Sequence, residues 1–205
     1  MKSRESVKQF QLVAENSALD LVNTLDNRFC ESGPDELLGS YDDLLHFVHQ
    51  AELLTAAQVR KLRWATDSEP ERRRVLDQVR ELREALAGVS YSLIGEQALP
   101  RRSLELLQEH FLRSNAARQL SDNGTYLVWD WPEREELSAP LWLLAQEAEK
   151  LLLSKQAERI RCCASDTCRW LFLDTSKNHT RRWCDMKICG NRMKARRYQA
   201  RLAEV

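Results

Sequence analysis

Two matched cysteine pairs constrain this 205-residue chain more than any other feature: Cys163 with Cys168, then Cys184 with Cys189. Four residues lie inside each pair and 15 separate the pairs. Zinc takes four tetrahedral ligands in closed structural sites and binds thiolates well. Two close pairs brought together by an intervening hairpin supply four sulfurs at one point, so one Zn2+ is expected there. Cys162 adjoins Cys163 and cannot share the site with it, and the spacing selects Cys163. His179 falls in the presumed hairpin tip, where exposure is expected, and Cys30 reads as a small core hydrophobe. Four sulfurs fill the shell and leave no open position for chemistry. The chain also has no His-Glu metal motif, Gly-rich phosphate loop or nucleophile elbow. The zinc therefore reads as structural, and an enzyme is not expected.

The formal net charge of zero conceals an asymmetry. Up to Ser154 there are 18 Lys and Arg against 26 Asp and Glu, or −8. From Lys155 onward there are 13 against 5, or +8. An acidic body with a basic tail points to a polyanionic partner for the tail. The longest stretch free of charged residues, Ala85 to Gly95, has 11 residues, short of the roughly 18 that a membrane span needs. The opening MKSRESVKQF has no apolar core of a secretory signal. A cytoplasmic location without membrane contact is expected, and its reducing conditions disfavour disulfides.

The first three-quarters read as helices. Ser17 with Asp20 opens one carrying Ala18, Leu21, Val22, Leu25 and Phe29. Ser40 with Asp43, and Thr55 with Gln58, start two more. From Ser68 and Pro70 a long helix carries Val75, Val79, Leu82, Leu86, Val89 and Leu93, a stripe that suits core packing or the seam of a homodimer through the helical domain. A further helix follows Pro100. Asn123-Gly124 ahead of the run Tyr126–Trp131 predicts a hairpin over Arg118–Trp131, with Trp129 and Trp131 covering the helices. A helix through Pro140 then leads into the tail. The expected fold is mainly α: a helical domain with one β-hairpin over residues 1–157, then a small zinc ribbon over 158–205. The helical domain is expected to be separable.

Within the ribbon, Trp170–Leu173 is strand-like and Arg181–Trp183 is expected to return as the second strand. After Cys189 a helix places Ala195, Tyr198 and Leu202 on one side, suited to packing on the zinc module. Arg192, Lys194, Arg196, Arg197 and Arg201 occupy the remaining arc, an arrangement that fits a phosphate backbone or a groove. With Arg181 and Arg182 these are the expected nucleic-acid contacts, arginine being suited to bidentate bonds with phosphate or guanine.

The segment Arg161 to Arg201, with Cys-x4-Cys, FLDTS, RRWC and then Cys189-Gly190-Asn191-Arg192 before a basic run, resembles the CGNR zinc finger. LDLVNTLDNR at Leu19–Arg28, followed by LLGSYDDLLHF, is similar to the helical ABATE domain that accompanies such fingers. The resemblance implies a stress-related, DNA-binding transcription regulator whose four cysteines hold zinc. The residues themselves leave two other partners open. One is an acidic protein surface that meets the tail's cations. The other is RNA, stacked on Trp170, Trp183 or Tyr198, although the two tryptophans also suit a hairpin core.

Overall fold

Asn16 opens α1 (Ser17–Asn23), its side-chain oxygen accepting the N–H groups of Ala18 and Leu19; these are two of the donors that a helix start leaves unpaired. In this computed structural model, which describes residues 9–65, 68–130 and 137–203, the cap therefore lies one residue before the expected Ser17. The reason is Asp20, which is buried and accepts the Ala14 N–H at 3.0 Å instead of serving the helix end. α1 also stops sooner than its apolar spacing predicts. Leu25–Asp26 (β1) pairs antiparallel with Asp35–Glu36 (β2), and Phe29 lies exposed, edge-on to Tyr91.

Both expected capping boxes are present, at the starts of α2 (Tyr41–Gln50) and α3 (Ala56–Trp64). α4 (Glu69–Ile94) is the central helix, and its stripe from Val75 to Val89 is buried inside the chain. Core packing is thus the role of those positions, while Leu93 at the end of the stripe is 40% exposed. Arg83 on α4 makes a two-pronged pair with Glu36 at 2.7 Å and ties β2 to the helix. Burial opposes the charge on Glu36, but Arg83 and Arg80 outweigh it and hold that carboxyl below its usual range.

α5 (Arg101–Ala116) and α6 (Ala139–Leu152) pack beside α4. Between them β3 (Gln119–Asp122) and β4 (Leu127–Asp130) form the expected hairpin, with Gly124 at φ 87° in its turn. Trp129, expected as a cover for the helices, is 57% exposed. It stands opposite Leu120 on the outer face, while Ser121 and Val128 supply the half-buried inner face. Trp131 lies outside the described residues.

The tail begins with a short 3-10 turn and β5 (Ile160–Cys162), which pairs antiparallel with β6 (Leu171–Leu173). The expected return strand at 181–183 does not form, because β6 takes its partner from the preceding segment. Leu171, Phe172 and Leu173 are buried beside α1, and the Leu173 N–H donates to Ala14 O at 2.8 Å. The strands of the tail therefore share one hydrophobic core with the helices. A widened π turn (Met186–Gly190) leads into α7 (Asn191–Ala203). The whole is mainly α with small antiparallel hairpins and a C-terminal cluster of four cysteines. No described helix is long and apolar enough to cross a membrane.

Candidate metal centre

Each cysteine pair is presented by its own tight turn. In the first, Cys163 follows β5 and donates its N–H to Trp170 O at 2.8 Å, closing the loop that carries Cys168. Buried Ser165 accepts the N–H groups of Cys168 and Arg169, with Arg169 at φ 57°. In the second, Asp185 caps the π turn by accepting from Lys187 and Ile188, and its carbonyl takes the N–H groups of Cys189 and Gly190. Gly190 lies against the Met186 side chain, which would have to move to admit a Cβ. Ala164 N–H donates to Arg182 O at 2.9 Å and joins the two turns.

The four sulfurs lie within 4.8 Å of one another, and the Cys168–Cys184 and Cys184–Cys189 separations are 3.6 Å. A tetrahedron with Zn–S bonds of ~2.3 Å has corners about 3.8 Å apart, so the cluster fits one structural Zn2+. Its electrostatics also suit a cation. The S–H groups of Cys168 and Cys184 hold the Cys163 thiol far below its usual range, while that negative neighbour pushes Cys168 and Cys184 up. Four close sulfurs cannot all be anionic without a cation between them, and a divalent ion permits it. Cys162 turns away, 3.2 Å from Arg169 O. His179 is exposed at φ 50°. Cys30 is half-buried rather than core, its sulfur 3.4 Å from Thr167 O in the first turn.

Two further groups fasten this centre. Asp174, fully buried, accepts from Ser176 N and Oγ and from Arg181 N; burial opposes the charge, but these bonds hold its carboxyl below the ordinary range. Arg181 stacks over Phe172 and donates to Trp183 O, Val13 O and Cys184 O. Its guanidinium, half-buried and 3.6 Å from Glu15 Oε1, is engaged within the protein, unlike those of the other expected nucleic-acid contacts whose side chains are described. Sequence reasoning missed this role, since a two-arginine run carries no mark of which one turns inward. Arg182 is exposed above the Trp183 ring.

The remaining cations stand on α7. Arg192, Lys194, Arg196 and Arg201 are exposed and make no hydrogen bond or ion pair with any described residue. The side chain of Arg197 lies outside the described residues. The face expected to pack on the zinc module does not: Ala195, Tyr198 and Leu202 are exposed, and among the described elements α7 rests chiefly on its own π turn. Trp170, one of the stacking candidates, is buried with its Nε1–H on Asp26 at 2.8 Å and is unavailable to a base.

Two family models match the chain. The ABATE model, described as "putative stress-induced transcription regulator", matches residues 15–155, and the CGNR zinc finger model matches residues 159–202. Neither describes an enzyme. No curated protein matches the chain.

Proposed function

We propose that this chain, which belongs to the ABATE family and carries a CGNR zinc finger, is a DNA-binding transcription regulator that lays α7 against duplex DNA. The observation that carries this reading is the set of unpaired cations on α7, displayed on a helix that touches little but its own π turn. Lone surface cations are ordinary, but four on one helix of a segment carrying +8 overall form an electrostatic footprint for phosphate. Arg192 lies nearest the helix start and is the candidate for reading a base edge, with Lys194, Arg196, Arg197 and Arg201 on the backbone. Arg182 flanks the same module. The zinc acts by holding the turn from which α7 springs. The acidic helical region, at −8 up to Ser154, repels phosphate.

Fluorescence anisotropy of the zinc-loaded full chain on a random-sequence duplex tests the reading. Binding at low salt that weakens as salt rises is expected. No duplex binding at low salt overturns it and favours an acidic protein partner for the same cations.

A further inference from the structure

Three helices of the acidic body meet around a small half-open pocket, about 140 Å³ in volume. α4 contributes Arg74 and Gln78, one turn apart on one face, and α5 contributes His110 and Arg113 at the three-residue step. The start of α6 completes the wall with Ser138 and Trp142. Each of these six side chains can donate a hydrogen bond, and among the described residues no carboxylate lines the pocket. These donors are also largely unengaged. Arg74, Gln78 and the Trp142 indole make no side-chain hydrogen bond with any described residue. Arg113 uses Nη2 alone, on Glu109 Oε1 at 2.6 Å. Ser138 stands at the N-cap of the 14-residue α6 but its side chain makes no capping bond, so the open end of that helix and its positive dipole lie at the pocket. His110 shows what is missing. It is 4% exposed, yet its one described polar contact runs from Nε2 to Glu81 Oε2 at 3.7 Å, beyond hydrogen-bond reach. Burial, aided by Arg113, holds the imidazole below its usual range against Glu81 and Glu109, so it stands neutral and no ion pair satisfies it. A buried polar side chain that lines a pocket without a hydrogen bond points to an absent acceptor.

We propose that this pocket binds a phosphate group, free or as the phosphoryl end of a small molecule, held by Arg74 and Arg113 with His110 donating to it. Guanidinium forks match phosphate oxygens bidentately. An uncapped helix start is suited to the same anion, because its N–H groups and its dipole both favour negative charge. The volume is well below the roughly 300–1,000 Å³ of drug-sized pockets, which admits the anion and leaves any larger remainder outside. The site lies in the helical body and stands apart from the DNA-binding reading of α7.

Inorganic phosphate and glycerol phosphate, titrated calorimetrically into the zinc-loaded full chain, are the probes. Saturable binding with a Kd at or below ~1 mM is expected. Binding of phosphate alone assigns the pocket to the free ion, and binding of the ester assigns it to a phosphoryl end. Arg74 is exposed, so Arg74→Gln should keep the fold while binding weakens about tenfold or more. Because α7 also offers cations to phosphate, Arg196→Ala is the control and should bind as wild type does. No saturable heat from either probe up to ~10 mM overturns the proposal. So does equal binding by wild type and Arg74→Gln, or an equal loss in Arg196→Ala, which would place the anion on α7.

Discussion

The side chain of Asn23 brackets the backbone of Leu171, 148 positions away: its Nδ2 donates to Leu171 O at 2.9 Å and its Oδ1 accepts Leu171 N–H at 2.9 Å. Both residues are buried. One amide at the end of α1 thus supplies β6 with the two bonds that a neighbouring strand would otherwise give. The finger is fastened to the helical body through its first strand pair as well as through shared apolar packing. Asn23→Ala would leave two buried backbone groups unpaired and should cost roughly 2–4 kcal/mol. Urea unfolding reads this directly, and a loss below about 0.5 kcal/mol, the scale of an ordinary surface substitution, would contradict it.

The same linkage changes what zinc removal should do. Structural zinc supplies roughly 10–16 kcal/mol in isolated fingers, and here β5 and β6 lie in the common core. Chelation, or Cys184→Ser, should therefore lower the melting temperature of the whole chain. Helical and aromatic circular dichroism should change together. Metal analysis of the untreated protein should find one zinc per chain. A helical signal that survives chelation with its melting temperature intact would restore the separable domain that the sequence alone leads one to expect.

That difference shows where the sequence is legible. The cysteine spacing announces the cluster because four sulfurs at matched intervals have few other uses. Ser40 with Asp43 and Thr55 with Gln58 announce helix starts because capping is decided within four residues. Asn23, Asp26 and Arg181 carry no such mark, since each acts on a residue more than 140 positions away. The strand partner of Leu171–Leu173 is not legible in the sequence for a related reason. Arg181–Trp183 follows the turn-rich stretch and suits a returning strand, but Ile160–Cys162 is the segment that pairs with β6. The exposure of α7's apolar side is likewise not legible, because periodicity reveals a face and not whether anything covers it.

Asp20 gives a test in pH. Burial pushes its carboxyl up to about 7, with Glu15 adding to the rise and the N–H groups of Ala14 and Val13, and then Arg181, opposing it. The unfolded chain releases this proton near the ordinary value of 3.8 while the folded chain keeps it. Between those values the folded state binds more protons, so the stability due to this group is greatest on the acid side. It falls as pH rises to about 7, by at most about 1.4 kcal/mol per unit. Asp20→Asn keeps an acceptor for Ala14 and cannot titrate. The difference between wild type and Asp20→Asn should slope across that window and level off above it. A flat difference would show that Asp20 titrates normally.

Arg181 and Arg196 differ in what their charges do, and the final prediction compares them. Arg181 gives its guanidinium to three backbone carbonyls and to the face of Phe172. Its replacement by Ala should cost roughly 2–4 kcal/mol by leaving buried acceptors unpaired. It should also loosen zinc retention, because Cys184 O is one of those acceptors. Provided the protein is zinc-loaded, the salt dependence of duplex binding should not change. Arg196 is exposed with no described partner, so Arg196→Ala should leave the melting temperature within about 1–2 °C, as for an ordinary surface change. If Arg196 meets a phosphate, the slope of log affinity against log salt should become shallower by about 0.9. Paired denaturation and anisotropy measurements on the two variants decide the matter. Equal effects on the slope would place both arginines at the phosphate backbone and contradict the inward role assigned to Arg181.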